Sequence, residues 1–194
     1  MLIQVINGTT REGRFSERIA HWVLDFARQY EGVAFELVDL RDHPLPFFDG
    51  AAPMWTPRQY TDEAVARFGR TVDRADGYIF LTAEYNHGYS AVLKNALDWT
   101  YAEWHRKPAG FVGWGGVGGA RAIEQLRQVT VEFEMAPLRH AVHIAPEIYL
   151  PARDQADPTD TAVFAPAEPF LKLLTDDLLW WTGALHAARA RDAS

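Results

Sequence analysis

The sequence predicts a doubly wound α/β fold, a five-stranded parallel sheet in the order 2-1-3-4-5 with helices on both faces. Two observations carry that expectation. Short apolar runs of strand length alternate five times with longer stretches whose apolar residues recur every three to four positions. Parallel neighbours cannot be joined by tight turns, so each pair needs a crossover helix. A third observation sets the domain count. No internal repeat, low-complexity stretch or composition shift divides the 194 residues, and residues 1–194 are expected to form one domain.

The elements follow in order. Residues 2–6 are short and rich in β-branched side chains, as a buried strand is. Phe15, Ile19, Trp22 or Val23, Phe26 and Tyr30 then mark an amphipathic helix, and residues 33–40 read as the second strand. Residues 42–57 hold four of the eleven prolines and read as an ordered loop. Val65, Phe68 and Val72 share a helical stripe, and residues 78–82, apolar on both faces, form the third strand. Ser90 supplies an N-cap for a helix running to about Trp104, with Leu93, Leu97 and Tyr101 on one stripe. Residues 111–114 are the fourth strand, Ile123, Leu126, Val129 and Phe133 the fourth helix, and residues 138–145 the fifth strand. A polar, proline-punctuated connection spans residues 146–166, before a last helix carrying Leu171, Leu174, Leu178, Trp181 and Leu185.

Composition narrows the function. Hydrophobic residues at 48% supply a core, and 23% charged residues argue against a disordered chain. Nineteen Lys and Arg against 26 Asp and Glu give a net charge of −7, which speaks against sequence-independent binding of nucleic acid or acidic membrane. The absence of cysteine removes disulfides, thiolate zinc sites, iron–sulfur clusters and cysteine nucleophiles, and no metal site is expected. No apolar run approaches the roughly 20 residues of a membrane span. Residues 1–6 lack a basic n-region and read as a strand rather than a signal peptide, so a cytoplasmic location is expected.

In a doubly wound sheet, ligands bind outside the carboxyl ends of the strands, at the switch point between strands one and three. Function is therefore expected in the loops after strands one, three and four. Loop one, Asn7-Gly8-Thr9-Thr10-Arg11-Glu12-Gly13-Arg14-Phe15-Ser16, combines glycines, hydroxyls, two arginines and a helix N-terminus, the ingredients of a phosphate cradle. It lacks both the Gly-Lys-Ser/Thr of a Walker loop and the dinucleotide Gly-x-Gly-x-x-Gly, and an ordinary strand-to-helix turn with surface arginines also fits it. Loop three, Ala83-Glu84-Tyr85-Asn86-His87-Gly88-Tyr89-Ser90, offers aromatic faces and exposed amides to a flat heterocycle, while plain turn chemistry also accounts for His87 and Tyr89. Lys94 and Asp98, at i,i+4 spacing, read as a surface ion pair. Glycines in loop four, Gly115-Gly116-Val117-Gly118-Gly119, either bring amides to a ligand or let a helix pack close to the sheet.

Three segments in this order resemble the NADPH-dependent FMN reductase family, the flavodoxin-like group that includes quinone, azo-dye and chromate reductases. They are Gly8-Thr9-Thr10-Arg11 with Arg14, then Glu84-Tyr85-Asn86 followed by Leu93-Lys94-Asn95-Ala96-Leu97-Asp98-Trp99, then Gly115 through Ala122. Asp39-Leu40-Arg41-Asp42-His43-Pro44-Leu45-Pro46 is also similar to the family, and the likeness spans roughly residues 1–145. The resemblance implies a flavodoxin-like fold with FMN as cofactor and NADPH or NADH as co-substrate. Thr9, Arg11, Arg14 and Ser16 would hold the phosphate, Glu84, Tyr85, Asn86 and His87 would lie by the ring, and Gly115, Gly116 and Val117 would meet its other edge. It implies hydride passing from the reduced nicotinamide through FMN to a small-molecule acceptor, a flavin, a quinone or a similar compound, in ping-pong order. No side-chain nucleophile is required, and His87 is the one candidate proton donor. A homodimer or homotetramer is also implied, with the helix of residues 93–104 in the contact. Trp104, Trp180 and Trp181 fit either that contact or a large core, with the core favoured for the last two.

The chain departs from the family at Ala83 and Ser90, where proline is usual, which leaves loop three less rigid. Trp114 stands where a smaller polar residue or tyrosine is more common and is expected to narrow the ring site. The alternative reading is a flavodoxin-type electron carrier that binds FMN without oxidising NAD(P)H. A receiver-type signalling domain of the same topology needs an acceptor Asp after strand three and a Lys after strand five, where this chain has Thr82-Ala83 and Ala145-Pro146.

Overall fold

The computed structural model describes residues 1–155, 157 and 159–192. Its sheet runs β2-β1-β3-β4-β5, all parallel, from β1 (Leu2–Asn7), β2 (Ala34–Asp39), β3 (Gly77–Ala83), β4 (Pro108–Trp114) and β5 (Ala136–Pro137), with β6 (Val142–Ile144) also paired to β4. The helices are α1 (Ser16–Ala27), α2 (Glu63–Asp73), α3 (Ala91–Trp99), α4 (Ala120–Glu132), α5 (Pro146–Asp154) and α6 (Glu168–Asp192). The predicted doubly wound order is the observed one.

Strand alternation divides the core into two layers. On β3, Ile79 and Leu81 join Ile3, Val5 and Val112 under α1 and α6. Tyr78 and Phe80 point the other way and pack with Ile6, Phe111 and Phe68 under α2, α3 and α4. All seven residues of β3 are buried, which is why the central strand reads as apolar on both faces. Each large side chain so buried stabilises the fold by about 1.5–3 kcal/mol relative to exposure. Register places the functional edge. Asn7 pairs with both Asp39 and Leu81, and Ala83 with Trp114, so the loops after β1, β2, β3 and β4 leave the sheet side by side.

Four expectations are corrected. The fifth strand, expected over residues 138–145, is two short pieces, β5 and β6, flanking β4's two ends. Pro137 has no N–H for the ladder, and Arg127 takes the carbonyls of Leu138 and Arg139 as the chain leaves the sheet. The helix from Ser90 stops at Trp99, because Thr100 turns extended (φ −129°, ψ 150°). The expected connection over residues 146–166, of which Ala156 and Pro158 lie outside the described residues, contains α5 and a 3-10 segment, Ala162–Ala167. Pro146 there is a helix-starting N1 proline rather than a breaker. Finally, Trp180 and Trp181 are 67% and 40% exposed on the outer side of α6, whereas Trp104 is fully buried.

Candidate functional site

Loop one leaves β1 at Gly8, whose amide donates to Leu81 O at 3.0 Å. A Cβ at Gly8 would lie 2.7 Å from that carbonyl oxygen, so only glycine lets the loop cross so close to β3. The hydroxyls of Thr9 and Ser16 are buried and 2.7 Å apart, closing the loop on itself. Arg11 is exposed, its guanidinium donating to Glu12 O at 3.3 Å. Arg14 is different. Its side chain is 3% exposed and is engaged by Asp39, Glu17 and the carbonyl of Thr9. Among the described residues, no carbonyl accepts from a backbone N–H of Thr9 through Phe15, so the loop and the start of α1 present a run of unclaimed amides.

Loop three is a two-residue hairpin. Tyr85 and Gly88 exchange both backbone hydrogen bonds, at 2.8 and 3.0 Å, while Asn86 (φ 51°) and His87 (φ 71°) occupy the left-handed corner positions. Tyr85, Asn86 and His87 are all exposed, and among the described residues neither corner amide has a carbonyl partner. Gln125 of α4 donates to His87 O at 2.8 Å and fixes the turn from outside.

Loop four turns through Gly115 and Gly118 and enters α4 at Gly119. Gly116 and Val117 face outward with free amides, Val117 being 48% exposed. Gly119 serves packing instead. It sits at φ 73°, and a Cβ there would be 2.6 Å from Trp114 N.

Arg121, in the first turn of α4, joins the two loops. Its backbone N–H and guanidinium both bind the carboxylate of Glu84, and its Nη1 lies 3.0 Å from His87 Nε2. Arginine has no acceptor, so His87 Nε2 must accept, and the ring proton resides on Nδ1. Burial alone would raise the Glu84 carboxyl, but the Arg121 bonds outweigh it and hold the group below the usual carboxylate range. Asp39 shows the same balance, with burial opposed by the Arg14 guanidinium and the Arg41 amide, and is also lowered.

The departures from the family pattern have structural consequences. Ser90 does not merely replace a proline. Its hydroxyl accepts from Leu93 N at 3.1 Å as the cap of α3 and donates to Gly8 O, tying loop three to loop one. Trp114 does not narrow the site, because the residue is buried, 5% exposed, and its ring packs edge-on against Phe15 in the core. Lys94 and Asp98 form the expected i,i+4 pair at 2.6 Å. Asn95 and Trp99, on the same helix, hold the loop that follows β2 through Pro46 O and Phe48 N, each at 2.8 Å. Asp39, Arg41 and Arg121 carry the most contacts that the loop sequences did not assign. The only sequence signal for them was that each falls inside a segment similar to the family's.

The comparisons with known proteins bear on the family and the fold. The sequence profile of the family described as NADPH-dependent FMN reductase matches residues 1–148. An NAD(P)H-dependent FMN reductase of Schizosaccharomyces pombe is 38% identical over 143 residues, 72% of each chain. A 2-hydroxy-1,4-benzoquinone reductase of a Burkholderia species is 26% identical over 189 residues, covering 92% of this chain and 94% of its own. Among solved structures, the flavoenzyme NAD(P)H:(acceptor) oxidoreductase FerB of Paracoccus denitrificans shares the fold, with a TM-score of 0.70 at 23% identity, over 94% of this chain and 97% of that one. With the profile matched across all three loops and the edge of the sheet built as described, the chain belongs to the NADPH-dependent FMN reductase family, the FMN-dependent oxidoreductases of NAD(P)H.

Proposed function

We propose that this enzyme passes hydride from NAD(P)H to a free flavin or a quinone, with FMN held across loops one, three and four. The observation that carries the reading is the set of unclaimed amides on one edge of the sheet, at Thr9–Phe15, Asn86–His87 and Gly116–Val117. Their chemistry fits the cofactor. A run of free amides at a helix N-terminus suits a phosphate, and amides beside the exposed Tyr85 and Val117 suit the polar edge and flat face of a ring. FMN, when bound, supplies the two-electron chemistry that side chains cannot.

In this reading Thr9, Arg11 and Ser16 serve the phosphate, with Arg14 behind them, while Glu84, Tyr85, Asn86, His87, Gly115, Gly116 and Val117 serve the ring. The chain's own work is orientation and charge. Amides of loops three and four would face negative charge gathered on the reduced ring, in a site whose two loops Arg121 keeps in register. A quinone acceptor also needs a proton. While Nε2 accepts from Arg121, the His87 ring is neutral and its Nδ1 hydrogen is no acid. To serve as the donor, His87 must leave Arg121 and take up a second proton. The names of the fungal and bacterial relatives support the acceptor classes chosen.

A homodimer or homotetramer is part of the proposal. Phe47 (82% exposed), Trp55 (80%), Met54 and Val92 support a contact around α3 between copies. No helix among the described residues is long and apolar enough to cross a membrane. A cytoplasmic location follows from the proposed reductant, since reduced nicotinamides are held inside cells, and residues 1–194 would act as one domain. The test is an anaerobic NADPH titration of the FMN-reconstituted protein. Fast stoichiometric bleaching of the visible flavin band is expected. FMN binding without bleaching would instead identify an electron carrier.

A further inference from the structure

We infer that Arg14, Asp39 and Arg41 are positioning residues that set a preference for FMN over riboflavin, by holding loop one's carbonyls so that its amides face the phosphate. The inference rests on the proposed placement of that phosphate in loop one.

The geometry is specific. Arg14 Nη1 donates to Thr9 O, and Arg41 Nη2 donates to Thr10 O at 3.4 Å and to Arg11 O at 2.9 Å. Three consecutive carbonyls are thus drawn toward two guanidiniums. In a planar trans peptide, the N–H of the next residue points opposite to the carbonyl. The amides of Thr10, Arg11 and Glu12 therefore point away from the arginines, and none of them donates to a carbonyl among the described residues. A loop free to rotate its peptides would present a mixture of carbonyls and amides, and an anion is repelled by the former.

Both arginines are themselves held. Arg14 Nε lies 3.1 Å from Glu17, Nη1 lies 2.7 Å from Asp39 Oδ1 while also reaching Thr9 O, and Nη2 binds Asp39 Oδ2. Four of the five guanidinium hydrogens are engaged, so little of Arg14 is left for a direct phosphate contact. Arg41 Nη1 lies 3.0 Å from Glu17 Oε1. Asp39, at the end of β2, accepts from Arg14, from Arg41 N at 2.9 Å and from Asn7 Nδ2 at 3.3 Å. It anchors the brace to the sheet, and Glu17 joins the two guanidiniums.

Riboflavin has the ring but no phosphate, which makes it the control for every effect on loops three and four. Titration by quenching of flavin fluorescence should show wild-type protein binding FMN far more tightly than riboflavin. Arg41→Ala and Asp39→Asn should each weaken FMN by about tenfold, the equivalent of one lost charge-assisted bond, and leave riboflavin within about twofold. Arg41→Lys keeps the charge but not the planar fork, and should stay as weak as Arg41→Ala. Full recovery in Arg41→Lys would mean that charge attraction alone explains the effect and would overturn the inference, as would equal losses for both flavins or no loss for either. If Asp39→Asn fails to fold by circular dichroism, the exposed Arg41 pair decides. A wild-type protein that binds both flavins equally would sink the placement of the phosphate itself. A large wild-type preference untouched in the variants would remove only the brace.

Discussion

Arg121 Nε lies 2.6 Å from Glu84 Oε1 while its own backbone N–H donates to Oε2 at 3.1 Å, so the first turn of α4 grips both oxygens of the carboxylate that follows β3. The Glu84 side chain is 4% exposed and its partner 43%. Removing the guanidinium would leave a buried carboxylate held only by the backbone amides of Arg121 and Ala122. Arg121→Ala is expected to destabilise the protein by about 2 kcal/mol, within the range for bonds to a charged group, read from urea unfolding. Because the folded carboxyl is held below its usual value, its contribution is present above the ordinary carboxyl range and is lost as pH falls through the folded value. Glu84→Gln should therefore lower stability at pH 7 and reduce the acid-side loss. An unchanged acid limb would refute the pairing.

Ser90 gives the second prediction. Its hydroxyl caps α3 and holds Gly8 O, and both bonds are buried. Ser90→Ala should destabilise by about 1–2 kcal/mol, the range of a lost cap with a stranded acceptor. It should also speed FMN release in stopped-flow displacement, because loop one loses its tie to loop three. A variant as stable as wild type would show the cap to be idle.

The fold was legible in the sequence because burial on both faces writes itself as continuous apolar runs, as at β3, and crossover helices as 3.6-residue stripes. The fifth strand was misjudged because Arg127, eleven residues before Leu138, satisfies carbonyls that a ladder otherwise would. Pro146 carried a helix-start signal that resembles a loop signal until its N1 position is known. For the site, the three loops were legible from glycine, hydroxyl and aromatic spacing. Their braces were not. Arg14 meets Asp39 because β1 pairs with β2 in register, a contact 25 residues apart that no local spacing encodes. The hairpin at Asn86-His87 was visible as a turn, but its two left-handed corners, without a glycine at either, were not.

Lys107 supplies a pH prediction far from the loops, at the start of β4. Its Nζ donates to Asp73 O at 2.8 Å and to the Tyr78 hydroxyl at 3.2 Å, with the side chain almost wholly buried. Burial pulls its pKa down to about 8, against an opposing pull from Asp73. In the unfolded chain a lysine titrates near 10.4. Between these values the unfolded state binds more protons than the folded one, so this group's contribution rises with pH from about 8 to 10. Wild-type protein should gain stability across that window relative to Lys107→Met, measured by urea midpoints at matched pH. Parallel curves would mean that Lys107 stays charged in the fold.

Two glycines of loop four separate packing from presentation. At Gly119 the backbone sits at φ 73°, and a Cβ would meet Trp114 N at 2.6 Å and Gly113 Cα at 2.7 Å. Those neighbours are main chain and cannot rotate aside. Gly119→Ala combines a left-handed penalty of about 1–2 kcal/mol with an overpacking penalty of about 1–3 kcal/mol, so a loss of at least 2 kcal/mol is expected. Gly116 has nothing within 4 Å of where its Cβ would stand. Gly116→Ala should leave unfolding within about 0.5 kcal/mol of wild type, as surface changes usually do. If Gly116 also faces the flavin, the same methyl group should weaken FMN and riboflavin together, since both carry the ring. A Gly116→Ala protein with normal stability and unaltered affinity for both flavins would place the ring away from loop four.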